Sequence, residues 1–237
     1  MGRRQTSQSC WNHSVERPVG ATMRAITYDR FGGPDVLELT DLPTPKVGPD
    51  SVLVRVRASS VNPVDWKVRE GYLAEIMDTV FPVVPGWDVA GVVEQVGLDT
   101  PEFQVGDEVF GYVRKDVVGG EVAGGTFAEF VAAPVRTLAH KPSNWSFEEA
   151  AALPLAGLTA LQTIRRAGVQ SGNTVLVHAA AGGVGSFAVQ IARSLGARVI
   201  GTASKTNHDY LRSLGAEPTK YGEGLAGRVR ALEPQGV

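Results

Sequence analysis

A glycine-rich turn is the segment whose residue types and spacing most directly indicate chemistry. Residues 180–185 read Ala-Ala-Gly-Gly-Val-Gly. Gly182 and Gly185 hold the second and third glycine positions of a G-x-G-x-x-G pattern, and Ala180 replaces the first. The second glycine would let a pyrophosphate approach the backbone, the third would let helix and strand pack closely, and the free N–H groups of the helix start would face the anion. The candidate cofactor-binding residues of the turn are Ala180, Gly182, Gly183, Val184 and Gly185.

The segments that flank the turn decide between a dinucleotide site and a plain tight turn without a ligand. Residues 174–178 form an apolar run typical of a strand, and the residues after the turn have apolar side chains at helical spacing. The residues with that spacing are Val184, Phe187, Ala188, Ile191, Ala192 and Leu195. A strand before the turn and a helix after it are the context in which this pattern binds a dinucleotide. We therefore predict a dinucleotide site.

The end of the next strand predicts which dinucleotide is bound. An acidic residue about 20 positions beyond the glycines would bind the ribose 2′-hydroxyl of NAD. That position falls at Ala203, and Ser204 and Lys205 follow it. No carboxylate is present to repel a 2′-phosphate, and Lys205 with Ser204 could bind one. The sequence thus favours NADP, with NADPH as the reduced form, although Lys205 could also be a solvated surface lysine.

The elements that would hold these residues divide the chain into three parts. Residues 1–22 are polar and lack the apolar core of a secretory signal, so we expect a disordered tail with Met23 as the natural start. Residues 23–145 show short strands separated by Gly and Pro, a pattern that predicts a partly open all-β barrel. These strands are predicted at residues 24–28, 52–58, 89–96, 108–113 and 127–132.

Residues 146–237 have the pattern of an α/β domain. Ser146 and Glu149 form a capping-box sequence that predicts the start of a helix, and residues 158–167 predict a second helix. Strands are predicted at residues 174–178 and 198–202, with a short helix at residues 207–214 after them. Alternating strands and helices predict the beginning of a parallel sheet with crossover helices.

Composition excludes several classes of function. The 237 residues are 43% hydrophobic and 20% charged, with a net charge of −2, which is typical of a soluble globular protein and gives no reason to expect a nucleic-acid partner. No apolar run reaches the ~18 residues that would cross a bilayer. Cys10 is the single cysteine, so neither an internal disulfide nor a cysteine-rich metal site can form. We expect a cytoplasmic protein.

Several motifs point to one family when they are taken together. The second half of the chain contains Ala-Ala-Ala-Gly-Gly-Val-Gly, Gly-Ala-Arg-Val-Ile-Gly-Thr-Ala and Leu-Gly-Ala, and further motif segments begin at Val61, Pro85, Val105 and Gly125. With these motifs the chain resembles the medium-chain dehydrogenase/reductase superfamily, and within it the zinc-independent, enoyl reductase-like branch of quinone oxidoreductases. The resemblance implies a chaperonin-10-like catalytic domain joined to a Rossmann domain, with the active site in the cleft between them.

The resemblance also implies that no metal is bound. Zinc-dependent relatives place a cysteine ligand where this chain has Asn62 and a His-Glu pair where it has Trp87 and Asp88. They also carry a four-cysteine lobe that this sequence lacks. Zinc needs several ligands that converge tetrahedrally, and the four histidines have no ligand-like spacing. The chemistry would then be hydride transfer from a nicotinamide, steered by hydrogen bonds.

Four further positions acquire roles by resemblance. Asn62 would lie near the nicotinamide and the substrate carbonyl; the alternative is a turn residue without a role in catalysis. Asp65 matches a family position, and the alternative is that its carboxylate does no more than brace the loop. Thr159 resembles a threonine near the cofactor, or it bonds back to its own helix. Tyr221 matches a tyrosine beside the adenosine 2′-phosphate, or it is a surface residue. Lys67 replaces a tyrosine common in quinone reductases and leaves the substrate open.

These inferences predict NADPH-dependent reduction of a quinone or an α,β-unsaturated carbonyl, with a small molecule as the partner. A nucleotide-binding protein without turnover, or an inactive fragment, is the alternative, and a zinc alcohol dehydrogenase is a third. A doubly wound domain needs about six strands, and the sequence shows two clear ones. We therefore expect a chain truncated at its C-terminus, weak in activity, whose parent has roughly 310 residues and could be a homodimer.

Overall fold

The computed structural model describes residues 22–114 and 124–237. The predicted tail and Cys10 lie outside these residues, apart from Thr22, which begins the first strand. Among the described residues, no helix has both the length and the apolar character needed to cross a membrane.

The first half of the chain is built from antiparallel strands. β1 (Thr22–Thr27) pairs with β2 (Glu38–Pro43), and five more strands form a sheet in the order β6-β3-β4-β5-β7. The five strands are β3 (Ser51–Ala58), β4 (Asp88–Val96), β5 (Glu108–Tyr112), β6 (Phe130–Pro134) and β7 (Leu138–His140). The valines that alternate along β3 and β4 are buried in one apolar core, as their period-two pattern predicts.

A helix that the strand pattern did not predict interrupts this half. α1 (Pro63–Arg69) begins with Asn62 as its N-cap and Pro63 at the first helical position, where a missing N–H has no cost. Asp65 completes a capping box by accepting the Asn62 backbone N–H. The sequence Asn-Pro-x-Asp is thus a helix-start signal, but the strand patterns on both sides of it hide this signal in the sequence.

The second half alternates helices and parallel strands. Its helices are α2 (Phe147–Ala151), α3 (Pro154–Arg166), α4 (Gly183–Ser194), α5 (His208–Ser213) and α6 (Leu225–Leu232). Its strands are β8 (Thr174–Val177), β9 (Arg198–Thr202) and β10 (Glu217–Thr219), paired in parallel in the order β10-β9-β8.

Two sequence predictions need correction in this half. The sheet has a third strand, β10, where only two were predicted, because Glu-Pro-Thr is too short to show a period and its proline sits beside an edge. α3 begins at Pro154 rather than Leu158, since proline is tolerated at a first helical position. The capping box of Ser146 and Glu149 is confirmed, with Glu149 N–H donating to Ser146 Oγ at 3.1 Å.

A group of charged residues joins the amino ends of the three parallel strands. Arg198, the first residue of β9, pairs with Glu217 of β10 at 2.7 Å and with Glu233 at 3.0 Å. Glu233 also accepts the hydroxyl of Thr174, the first residue of β8, at 2.9 Å. The Arg198 guanidinium donates in addition to the Leu232 carbonyl at the end of α6. We call these residues the Arg198 cluster.

Candidate functional site

The glycine turn connects β8 to α4, and its three glycines have different surroundings. Gly182 is the N-cap of α4 with extended backbone, and a Cβ added there would lie 3.2 Å from the Ala179 carbonyl oxygen. A Cβ on Gly183 would meet nothing within 4 Å. A Cβ on Gly185 would lie 2.3 Å from the Ala179 carbonyl oxygen and 2.7 Å from Ala180 Cα. The backbone is therefore open at the helix start and closely packed one turn further on.

The left-handed residue of this turn is Ala179, which directly precedes the glycine pattern. Ala179 has a φ of 50°, which a non-glycine residue rarely adopts and which costs about 1–2 kcal/mol. Thr202 at the end of β9 holds it in place, because the Thr202 hydroxyl accepts the Ala179 N–H at 2.9 Å. Ala180 is fully buried and packs against Gly201, where an added Cβ would lie 2.8 Å from the Ala180 methyl.

The residues predicted to select the dinucleotide follow β9 at the same edge of the sheet. Ala203 is buried at the strand end, and its N–H donates to the Thr219 carbonyl of β10. The Ser204 hydroxyl lies 2.9 Å from the Thr206 hydroxyl and accepts the Asn207 amide at 3.2 Å. The side chain of Lys205 is exposed and forms no ion pair with any other residue described. This edge therefore offers a free cation and hydroxyl groups, with no carboxylate among residues 203–207.

Tyr221 lies beyond the neighbouring strand, on a loop that sequence reasoning did not describe. It is half exposed, and the loop bends through Gly222 and Gly224, both of which have positive φ. Arg228 of α6 fixes the loop by donating to the Lys220 carbonyl at 2.7 Å and to the Glu223 carbonyl at 2.8 Å. β9 and β10 are adjacent and parallel, so their following segments emerge at the same edge of the sheet.

Thr159 lies on α3, where its hydroxyl donates to the Leu155 carbonyl at 2.7 Å. Of the two interpretations of Thr159, the structure shows the hydrogen bond back to its own helix. Its side chain is exposed, and the hydroxyl oxygen can still accept a hydrogen bond.

Asn62 is buried in a polar network at the start of α1. Its amide nitrogen donates to Asp88 Oδ2 at 2.8 Å and to Ser60 Oγ at 3.1 Å. The carboxylate can only accept, so the nitrogen must be the amide atom that faces Asp88. Both amide hydrogens are therefore used inside the protein, and in this arrangement Asn62 has none left to polarise a substrate carbonyl.

Asp65 is 8% exposed and accepts the backbone N–H of Asn62 at 2.6 Å. Burial raises the pKa of Asp65, and the nearby charge of Asp88 raises it further, while backbone N–H groups of Asn62 and Gly86 act in the opposite direction. These contacts are those of a residue that braces a loop, although its carboxyl also lines a cavity.

Asp88 is the central residue of this network, and the sequence indicated it only as the replacement of a zinc ligand. Its side chain is fully buried and accepts hydrogen bonds from Ser60, Asn62 and the backbone N–H of Leu155. Burial raises the pKa of Asp88, and these hydrogen bonds lower it in part. No spacing rule predicted the contact with Leu155, which is 67 positions away.

A cavity of about 270 Å³ lies beside this network. Its polar lining includes Tyr28, Asp65 and Arg114, and Trp87 contributes an aromatic wall with the Arg114 guanidinium 5.4 Å from its ring. Burial is the main reason that the pKa of Tyr28 is raised to about 12, so its hydroxyl stays protonated at neutral pH. Apolar side chains from residues 76–84 complete the wall. The cavity combines polar and apolar walls and can hold a small molecule that has both kinds of surface.

The exposed residues near α1 are aromatic and cationic. Lys67 has its ammonium 5.6 Å from the ring of Trp66, and Trp66 packs edge-on against Tyr72. Within the described ranges, no three His, Cys, Asp or Glu side chains come together as a metal site would need.

Comparison with known proteins gives consistent matches across most of the chain. Residues 48–143 match the alcohol dehydrogenase GroES-like domain family. The chain is 38% identical over 216 residues to the chloroplastic NADPH-dependent alkenal/one oxidoreductase of Arabidopsis thaliana; the match covers 90% of this chain and 56% of that protein. The chain spans between 53% and 61% of the lengths of the curated relatives it matches.

Two solved structures illustrate the similarity in fold. The quinone oxidoreductase of Coxiella burnetii is 40% identical with a TM-score of 0.78, and the match covers 87% of this chain and 65% of that one. An NAD-dependent alcohol dehydrogenase is 41% identical with a TM-score of 0.80, and here the match covers 90% of this chain and 68% of the other. At these identities the similarity extends to the arrangement of both halves.

Proposed function

Because the chain belongs to the medium-chain dehydrogenase/reductase superfamily, in its quinone oxidoreductase-like branch, we propose that it binds NADPH and reduces a quinone or an α,β-unsaturated carbonyl compound. The observation that carries the proposal is the open helix start at Gly182 and Gly183, beside a strand end with a free lysine and no carboxylate. The relative from Arabidopsis that is named for NADPH and for alkenals and alkenones agrees with this cofactor and substrate class.

The residues of the second half fit a dinucleotide phosphate. The first N–H groups of α4 have no intrahelical acceptor, so at Gly183 and Val184 they can donate to a pyrophosphate, and the helix dipole favours its negative charge. Lys205 would pair with the 2′-phosphate, with Ser204 donating its hydroxyl and Tyr221 bordering the site. When bound, NADPH supplies the hydride. We propose residues 146–237 as the nucleotide-binding domain.

We assign residues 23–145 to the catalytic domain and the cavity beside Trp87 to the substrate. Its apolar side chains can pack against a flat unsaturated ring or chain, and its protonated Tyr28 and cationic Arg114 can donate to a carbonyl oxygen. Asn62 and Asp65 stay on the catalytic side as residues that shape the loop between the cavity and α3. The substrate is a small molecule, and a cytoplasmic location and a homodimer stay predictions.

The sharpest test of the cofactor is the ratio of NADPH to NADH affinity. Lys205→Ala should weaken NADPH at least tenfold and change NADH less than about twofold, because one charge-assisted hydrogen bond contributes about 1.5–3 kcal/mol. Lys46→Ala, a lysine between β2 and β3, is the matched control and should alter neither value. Fluorescence titration of both nucleotides measures the ratio. Equal affinities in the unmodified chain, or a ratio that Lys205→Ala leaves unchanged, would contradict the proposal.

A nucleotide-binding protein without turnover is the second candidate, and the engagement of both Asn62 amide hydrogens favours it. The two functions differ in one measurement. An oxidoreductase consumes NADPH only when a quinone or an enone is added, and the loss of NADPH absorbance measures this consumption. A binding protein shows nucleotide affinity with no such loss.

A further inference from the structure

The Asp88 carboxylate joins the two halves of the molecule through both of its oxygens. Oδ1 accepts the Leu155 N–H in the first turn of α3 at 2.8 Å, and Oδ2 accepts Asn62 Nδ2 at the same distance and the Ser60 hydroxyl. Ser60 and Asn62 belong to the segment between β3 and α1, whereas α3 belongs to the second half. One buried side chain therefore contacts both sides of the proposed cleft.

A carboxylate in this position is costly. Asp88 has no measurable exposure, and no lysine or arginine among the described residues pairs with it. Burial of an unpaired charge is unfavourable, and its cost is offset here by three hydrogen bonds and by the positive end of the α3 dipole. A neutral side chain of the same size would avoid the desolvation cost. However, a neutral side chain could not reproduce the two acceptor oxygens with which Asp88 accepts hydrogen bonds from opposite directions.

Among the residues that the structure describes, the Leu155 N–H has no acceptor other than Asp88. It belongs to the first turn of α3, where N–H groups lack an intrahelical partner. α3 packs closely on α4, the helix that starts at the glycine turn, through residues that include Ala160 and Ile164. A shift of the α3 start would therefore carry α4 and the glycine turn with it, and so move the proposed nucleotide site relative to the catalytic half without altering the site itself.

We infer that Asp88 is a positioning residue, which holds the start of α3 against the Ser60–Asn62 segment and so fixes the proposed nucleotide half relative to the catalytic half. The inference rests on the proposed function for the identity of the two halves. The hydrogen bond to Leu155, however, can be tested without it. Asp88 contacts no substrate in this account and acts through α3 and Asn62.

The first test is amide hydrogen exchange at Leu155, measured by NMR on the whole chain. Asp88→Ala should raise the exchange rate at Leu155 at least tenfold, because the N–H loses its acceptor. Asp88→Asn keeps one oxygen for Leu155 and should give an intermediate rate. Asp107→Ala is the matched control, since Asp107 also accepts a backbone N–H, from Gln104 at 2.9 Å, but lies in the turn before β5. It should leave Leu155 unchanged.

The second test separates positioning from local stability. With NADPH and an enone, Asp88→Ala should lower kcat at least tenfold while the Kd for NADPH changes less than about threefold, and Asp88→Asn should recover part of kcat. Fast exchange at Leu155 in the unmodified chain, or a rate that neither Asp88 variant changes, would overturn the inference. An unchanged kcat with a freed Leu155 would also overturn it. If the unmodified chain shows no turnover, the proposed function fails, and the exchange rates alone decide the role of Asp88.

Discussion

Substitution of each glycine of the turn by alanine should separate folding from nucleotide binding. At Gly185 the new Cβ would lie 2.3 Å from the Ala179 carbonyl oxygen, about 0.7 Å inside the 3.0 Å that real Cβ atoms respect. Both nearest atoms are backbone atoms, so relief requires α4 to move away from the end of β8. Overpacking of this kind costs about 1–3 kcal/mol, a large part of the ~5–15 kcal/mol that stabilises a domain.

The other two glycines provide the comparison within the same turn. Gly183→Ala meets no atom within 4 Å, so it should leave stability unchanged or raise it by up to about 1 kcal/mol through helix propensity. Gly182→Ala keeps the extended backbone, and its Cβ, 3.2 Å from the Ala179 carbonyl oxygen, needs only a small local shift. Its methyl would, however, occupy the approach of the pyrophosphate. We expect near-normal stability and at least tenfold weaker NADPH binding.

Urea unfolding followed by circular dichroism measures the free energy of unfolding of the three variants, and NADPH fluorescence measures their affinity. The expected order of stability places Gly185→Ala clearly below the other two. If Gly185→Ala were as stable as Gly183→Ala, the close packing of helix and strand would not be the reason for that glycine. If Gly182→Ala bound NADPH normally, the pyrophosphate would not lie at this turn.

Three further predictions concern stability and metals. Burial raises the pKa of Asp65, so its contribution to stability is present below its unfolded pKa and is lost as pH rises through its folded pKa. The free energy of unfolding of Asp65→Asn, relative to that of the unmodified chain, should therefore increase from pH 4 to pH 7. Urea titration at both pH values measures this difference, and a difference that does not change with pH would contradict the prediction. Ser146→Ala should cost about 1 kcal/mol by removing the cap of α2, seen as a lower urea midpoint, whereas Ser143→Ala should cost little. A chelator should change neither turnover nor the melting temperature, and recovery of lost activity by zinc would refute the metal-free interpretation.

The elements that the sequence predicted well are those whose signal is local. The capping box at Ser146, the apolar run before the glycine turn and the helical spacing after it depend on neighbours within a few positions, and all three form as predicted. β10 was missed because three residues with a proline carry no period, and the helix start at Pro154 was placed four residues late. α1 was missed because its capping signal lies among strands.

The candidate site depends on contacts that sequence spacing does not encode. The bond from Leu155 to Asp88 and the clamp of Arg228 on the Tyr221 loop join residues on different elements. The left-handed conformation of Ala179 is supported by Thr202 on the next strand, whose hydroxyl accepts the Ala179 N–H. The orientation of the Asn62 amide depends on Asp88, which lies beside it in the fold but 26 positions away in the sequence. The sequence pattern therefore located the turn and the strand ends, whereas the hydrogen-bond partners of these residues on other elements became visible only in the structure.

The Arg198 cluster and the glycine turn lie at opposite ends of the same three strands. Ionic contacts hold the amino ends of β8, β9 and β10 in register, whereas the carboxyl ends lead into segments that offer groups to a ligand. Thermal displacement should therefore grow along each strand toward the ligand edge, so that the loops there can adjust while strand pairing persists. Because these ion pairs are partly exposed, added salt weakens them. High ionic strength should thus loosen the strands from the end opposite the glycine turn.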